Sequence, residues 1–147
     1  MVLYQVIENP FDKHNKQKQI MIQDKTILNV IDNSGAKTAY CIKVMKGYRR
    51  RYACTGDIIT VAVRSLRKKR KESSKIKKGD ISKALLVRTK VTKFTNFHEK
   101  LDFFENAVIL ITKQKKLLGT RIFGAISKSF RYTKFLRIAS LSAGVLK

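Results

Sequence analysis

The chain has 147 residues, with 33 Lys and Arg against 10 Asp and Glu, a net charge of +23 and a pI near 10.4. That length and its 44% hydrophobic content supply one real core but not comfortably two. No apolar run reaches the roughly 18 residues of a transmembrane helix. A charge this large calls for a polyanion, nucleic acid before an anionic membrane surface; we expect nucleic acid and no membrane.

Residues 1–20 hold the only proline, Pro10, and end in the polar stretch FDKHNKQKQ. They contain no Arg and carry Glu8 and Asp12, unlike a mitochondrial presequence, and they lack the apolar core of a secretory signal. We read them as an N-terminal extension, with residues 21–147 forming a single domain. Within it, 26-TILNVID-32 predicts a strand that 32-DNSG-35 breaks. Next, 37-KTAYCIKVM-45 alternates, with Tyr40, Ile42 and Val44 on one side and Cys41 and Lys43 on the other. The stretch 58-IITVAVR-64 places Ile59, Val61 and Val63 on one face. The stretch 81-ISKALLVRTKV-91 opposes Leu85, Val87, Thr89 and Val91 to Leu86, Arg88 and Lys90, and 106-NAVILIT-112 is the short apolar run of a central strand. Five β-branched strands separated by Gly or Asp turns predict a mainly β fold, a small five-stranded barrel. Closure would leave no open edge to aggregate. The period changes in 127-SKSFRYTKFLRIASL-141, which predicts one or two short helices, N-capped by Ser127 and Thr133.

Chemistry is hard to find in this chain. A phosphate loop requires GxxxxGK[ST] running into a helix. Gly35 has Val30 five positions earlier and is followed by a strand, while 119-GTRIFG-124 continues as Ala125-Ile126. Asp32 to Gly35 instead reads as a turn, with Gly35 suited to positive φ. Asp57 and Asp80 stand at Gly-Asp corners before strands and read as turn acceptors rather than general bases. Cys41, Cys54, His14 and His98 have no zinc-ligand spacing. We expect no enzyme activity, no metal and no cofactor.

The basic segments are the strongest signal. In 46-KGYRRRY-52, Lys46, Arg49, Arg50 and Arg51 interleave with Tyr48 and Tyr52, a pattern suited to base stacking beside phosphate contact. The run 64-RSLRKKRKESSKIKK-78 contributes Arg67, Lys68, Lys69, Arg70, Lys77 and Lys78, with Glu72 its one acid. Lys37, Arg88, Lys90, Arg121 and Arg131 extend the candidate surface, as do Lys128, Lys134 and Arg137. Charge spread round a domain suits burial within a large RNA. A DNA-reading module instead concentrates its contacts on one helix or ribbon.

Several motifs in order carry a resemblance: DNSGAK (32–37), CIKV (41–44), RRYA (50–53), GDII (56–59), KKGD (77–80), ALLVRTK (84–90), GTRIFG (119–124) and KF-x-x-I-x-SL (134–141). From Met21 onward the chain resembles the universal ribosomal protein numbered fourteen of the large subunit, in its bacterial and organellar form. The resemblance implies a five-stranded barrel with a projecting β-ribbon and small C-terminal helices. It implies binding to large-subunit rRNA beside the proteins numbered three and nineteen, contact with small-subunit rRNA at intersubunit bridges, and a face that a ribosome-silencing factor uses in some organisms. The first twenty residues have no counterpart, and 64–76 is longer and more basic than usual. The hairpin between about 91 and 103 lacks the family's Asp-Gly turn; Phe97-His98 stands there, so the turn is expected near Thr95-Asn96. Residues 1–20 carry Leu3, Tyr4, Val6, Ile7 and Phe11, and we expect them to pack on a neighbouring ribosomal protein. The Lys- and Ile-rich, AT-codon composition points to a mitochondrial ribosome, with a plastid or bacterial one as the alternative. A free basic nucleic-acid-binding regulator outside the ribosome is the competing functional reading.

Overall fold

Strand formation follows the β-branched runs. In a computed structural model of the chain, the described residues are 22–45, 47–48, 50–68, 76–90, 93–94, 100–101 and 103–146. Five strands close a barrel in the order β1 (Ile27–Val30), β2 (Ala36–Val44), β3 (Ile58–Leu66), β4 (Ile81–Arg88) and β7 (Ala107–Ile111). Neighbours are antiparallel except at the seam, where β1 lies parallel to β7 with Asn29 opposite Ala107 and Val30 opposite Val108. The expected mainly β fold and five-stranded barrel are therefore present. Between β4 and β7, β5 (Lys93–Phe94) and β6 (Lys100–Leu101) pair antiparallel in a separate two-stranded sheet. The turn expected near Thr95-Asn96 lies outside the described residues, as does the extension 1–20.

Burial separates two apolar clusters. Leu28, Val30, Ala39, Cys41, Ile59, Val61, Val63, Ala84, Leu86, Val108 and Leu110 belong to the first, with Ile22 and Ile76 joining from the connections. The opposite faces of β4 and β7 supply Leu85, Val87, Ala107, Ile109 and Ile111 to the second, which is completed by Ile122, Ile126, Phe130 and Ile138 from the C-terminal region. Strands β4 and β7 are thus covered on both faces, which is why their sequences run apolar instead of alternating. A closed barrel fills one side and the C-terminal region covers the other.

Strand β2 departs from the expected phase. Its buried residues are Ala36, Ala39, Cys41 and Val44, while Ile42 and Lys43 are both exposed. Register shifts fall between Thr38 and Ala39 and between Cys41 and Lys43. Each such irregularity inserts a residue and moves later side chains to the other face, so Val44 shares the interior with Cys41 rather than an outer face with Tyr40. Burial raises the Cys41 thiol to about 11, with the Asp24 carboxylate adding to it.

The C-terminal region also differs from a purely helical reading. It contains β8 (Ile122–Ser127), a 3-10 helix (Lys128–Tyr132), α1 (Leu136–Leu141) and β9 (Ser142–Leu146). β8 and β9 pair parallel, Ile122 opposite Ser142 and Ser127 opposite Leu146. Ser127 caps the 3-10 helix as expected, its hydroxyl accepting from Ser129 N–H. Thr133 is that helix's C-cap, and the residue before α1 is Phe135, which makes no side-chain cap. Thr133 Oγ1 still accepts from Phe135 N–H at 3.3 Å; the hydroxyl serves the turn between the two helical segments rather than the helix itself.

Candidate nucleic-acid interface

The two Gly-Asp corners are built alike. Gly56 and Gly79 have φ of 93° and 91°, a left-handed conformation that glycine adopts without a Cβ penalty. Asp57 Oδ2 accepts from Cys54 N–H at 2.9 Å, and Asp80 Oδ2 accepts from Lys77 N–H at 2.7 Å. Gly56 N–H donates to Leu86 O at 2.7 Å, and Gly79 N–H to Val63 O at 2.8 Å. Both carboxylates are spent on turn geometry, and each corner fixes one end of the barrel.

Antiparallel pairing assigns the basic segments to opposite ends. β2 ends at Val44 opposite Ile59, and β3 begins there, so the 45–57 connection lies at one end. Thr55 Oγ1 and Thr89 Oγ1 hydrogen-bond at 3.2 Å, which brings Lys90 to the same end. Tyr48 is 90% exposed and Tyr52 is 45% exposed, with Arg51 exposed between them. At the other end, Ala36 pairs with Leu66 and Arg67 N–H donates to Gly35 O at 2.9 Å. Lys37, Lys68, Lys77 and Lys78 are exposed there. Arg121 joins them, because its backbone N–H and that of Thr120 both donate to Asn33 Oδ1, at 3.2 and 2.7 Å. The DNSGAK and GTRIFG motifs therefore form one unit. Gly119 lies so close to Asp32 and Asn33 that a Cβ would approach both to 2.8 Å. Asp32 itself is fully buried, accepting from both the N–H and the hydroxyl of Ser34 and from Leu110 N–H at 2.9 Å.

Some predicted contacts are committed inward. Arg88 is only 8% exposed. Its guanidinium donates to Ala125 O at 2.7 Å and Phe123 O at 2.6 Å and pairs with Glu105 at 2.5 Å. It also faces the Phe103 ring at 5.8 Å. These bonds make Arg88, expected as an RNA contact, a clamp that fastens the C-terminal region to the barrel. Arg50 pairs with buried Asp57 at 2.5 Å and donates to Tyr52 O at 2.9 Å. Arg67 donates to Val30 O at 3.0 Å and lies over the Phe123 ring at 4.8 Å. Both are half-buried and shape the two ends more than they reach beyond them. Arg131 is exposed on the 3-10 helix. Lys46, Arg49, Lys69 and Arg70 lie outside the described residues.

A family model described as Ribosomal protein L14p/L23e matches residues 21–146. The chain belongs to the ribosomal protein L14p/L23e family. L14p/L23e proteins are structural components of the ribosome that bind rRNA. In this L14p/L23e chain the motifs that carried the resemblance have identifiable structural tasks: DNSGAK and GTRIFG lock together, GDII and KKGD form the two corners, and RRYA anchors one basic connection. Ala53 of that last motif pairs with Ile22, the backbone bonds measuring 2.8 and 3.1 Å.

Proposed function

We propose that this chain is a structural constituent of the large ribosomal subunit, that it holds rRNA segments apart by gripping one at each end of its barrel, and that it contributes to intersubunit bridges. The observation that carries this reading is the placement of exposed Arg51, Tyr48, Tyr52 and Lys90 at one end and Lys37, Lys68, Lys77, Lys78 and Arg121 at the other. Two basic ends on a rigid closed barrel suit a spacer between two RNA elements. Lysine and arginine displace counterions from phosphates, and exposed tyrosines can stack on unpaired bases. Arg131 and the C-terminal region extend the contact. The neighbours we propose are the large-subunit proteins numbered three and nineteen, with a ribosome-silencing factor acting on the subunit-joining face. The Lys- and Ile-rich composition supports a mitochondrial ribosome.

Sucrose-gradient sedimentation of lysate from the native source, at moderate and high salt, tests this reading. The chain should travel with large subunits and leave only at high salt, together with organellar ribosomal proteins. Recovery at the top of the gradient would overturn it. Arg51→Glu with Lys77→Glu should block incorporation while leaving the free domain folded. Arg50→Glu is unsuited to the purpose, since it would place a second carboxylate against buried Asp57.

A further inference from the structure

Three further lysines converge on one cleft beside the 45–57 end of the barrel. Lys83 from β4, Lys115 from the turn after β7 and Lys134 from the segment before α1 line it together with Met45, Ile58 and Phe135. The cleft encloses about 580 Å³, within the roughly 300–1,000 Å³ typical of pockets for compact organic ligands. Ile58 and Phe135 pack against the outer apolar cluster, which holds those two apolar walls in place. Asp57 is its one acid. That carboxylate is engaged by Arg50 and by Cys54 N–H, so it does not oppose an incoming anion.

Lys115 is a second, independent sign. It has φ of 63°, an uncommon conformation for a residue with a side chain. The turn holds it there: Lys115 N–H donates to Thr112 O at 2.9 Å, Lys116 N–H to Thr112 Oγ1 at 3.2 Å, and Thr112 N–H to Lys116 O at 2.8 Å. Strain of this kind gathers at sites that use the resulting geometry.

We propose that this cleft receives a single unstacked nucleotide of RNA, with its base against Phe135, Ile58 and Met45 and its phosphate among Lys83, Lys115 and Lys134. Ammonium groups bind phosphate as point charges, and an aromatic ring offers any base a stacking surface. A duplex displays its phosphates on a continuous backbone and keeps its bases stacked; an apolar recess ringed by cations fits an extruded nucleotide instead. The inference rests on the RNA-binding reading above and adds to it a defined pocket beside the 45–57 end of the barrel.

The test uses the full chain labelled with ¹³C at methionine methyls and titrated at low salt with hexauridylate. The Met45 methyl should shift, and Phe135→Leu should weaken that response about five- to a hundredfold, the usual worth of one stacked base. Lys83→Gln combined with Lys134→Gln, which alters no core packing, should abolish the shift even if Phe135→Leu proves unstable. Binding of hexauridylate without movement of Met45 would overturn the cleft while leaving the function intact. A Met45 shift with a Glu- and Phe-containing peptide but none with hexauridylate would assign the cleft to a protein and also overturn it. In purified large subunits, ultraviolet cross-linking should yield an RNA adduct on the peptide carrying Phe135. Absence of the chain from those subunits would instead refute the reading on which the inference rests.

Discussion

Gly124 lies against the Arg88 guanidinium so closely that a Cβ at that position would collide with Arg88 Nη2 and sit 3.2 Å from Cζ. Its φ of 78° independently disfavours any side chain. One glycine thus admits the arginine that fastens the C-terminal region to the barrel. Gly124→Ala should destabilise the domain by about 2–4 kcal/mol, combining backbone strain with displacement of a buried guanidinium. Equilibrium urea unfolding checks this; a loss below about 0.5 kcal/mol would show that the clamp is dispensable.

Arg88 and Arg51 should behave oppositely although both are arginines in basic stretches. Arg88→Met leaves the Phe123 and Ala125 carbonyls unsatisfied and should cost about 2 kcal/mol of stability. It should leave the salt dependence of RNA binding unchanged. Arg51→Gln should leave stability within about 0.5 kcal/mol and lower the slope of log K against log salt by about 1. Filter binding across a salt series, with parallel denaturant melts, separates the two.

Asp32 joins the parallel seam to the first turn. Its carboxylate takes Leu110 N–H on one oxygen and Ser34 on the other. In Asp32→Asn one of those oxygens becomes an NH₂ facing a donor. The expected loss is about 1–3 kcal/mol, with the denaturant m-value retained. A stability equal to the parent's would mean that the turn closes without this link.

Cys41 is fully buried and its thiol is raised to about 11 from an ordinary 9.0. At pH 8 a thiol reagent should modify Cys54 first and reach Cys41 only on unfolding. Because the folded value lies above the unfolded one, the native state keeps a proton that the unfolded chain gives up as pH rises past 9. This contribution to stability is complete below about pH 9 and lost as pH climbs towards 11. Cys41→Ala should fall less in stability than the parent over that interval, compared at each pH by chemical denaturation. An identical decline in both proteins would exclude the thiol as its source.

Much of the barrel was legible because its signals are local. Ile59, Val61 and Val63 alternate and are all buried, and the Gly-Asp corners require turns wherever they occur. The bulges in β2 were not legible, since nothing in AKTAYCIKV marks where an extra residue enters, and the faces assigned to Tyr40 and Val44 changed with them. β9 was missed because SAGVL has a weak β pattern and its partner begins 20 residues earlier in the chain, at Ile122. The enclosure of Arg88 was not legible for a related reason. Alternation in β4 separates two faces, but only the distant C-terminal region decides that the face carrying Leu85 and Val87 is also covered, and that the strand's last arginine is enclosed. The lysines of the cleft come from three distant segments, each unremarkable in its own sequence context.

The parallel seam has a consequence for biogenesis. β1 is made early, yet its partner β7 begins at Ala107, so during synthesis β1 presents an unpaired edge until nearly three quarters of the chain exists. Such edges invite pairing with other chains, and contacts so distant in sequence form slowly. Residues 1–106 already hold 24 of the Lys and Arg and all 10 acids, and mutual repulsion between unfinished copies carrying +14 each keeps them apart during that wait. The same lysines and arginines that would later grip RNA therefore guard the half-made barrel from its own kind.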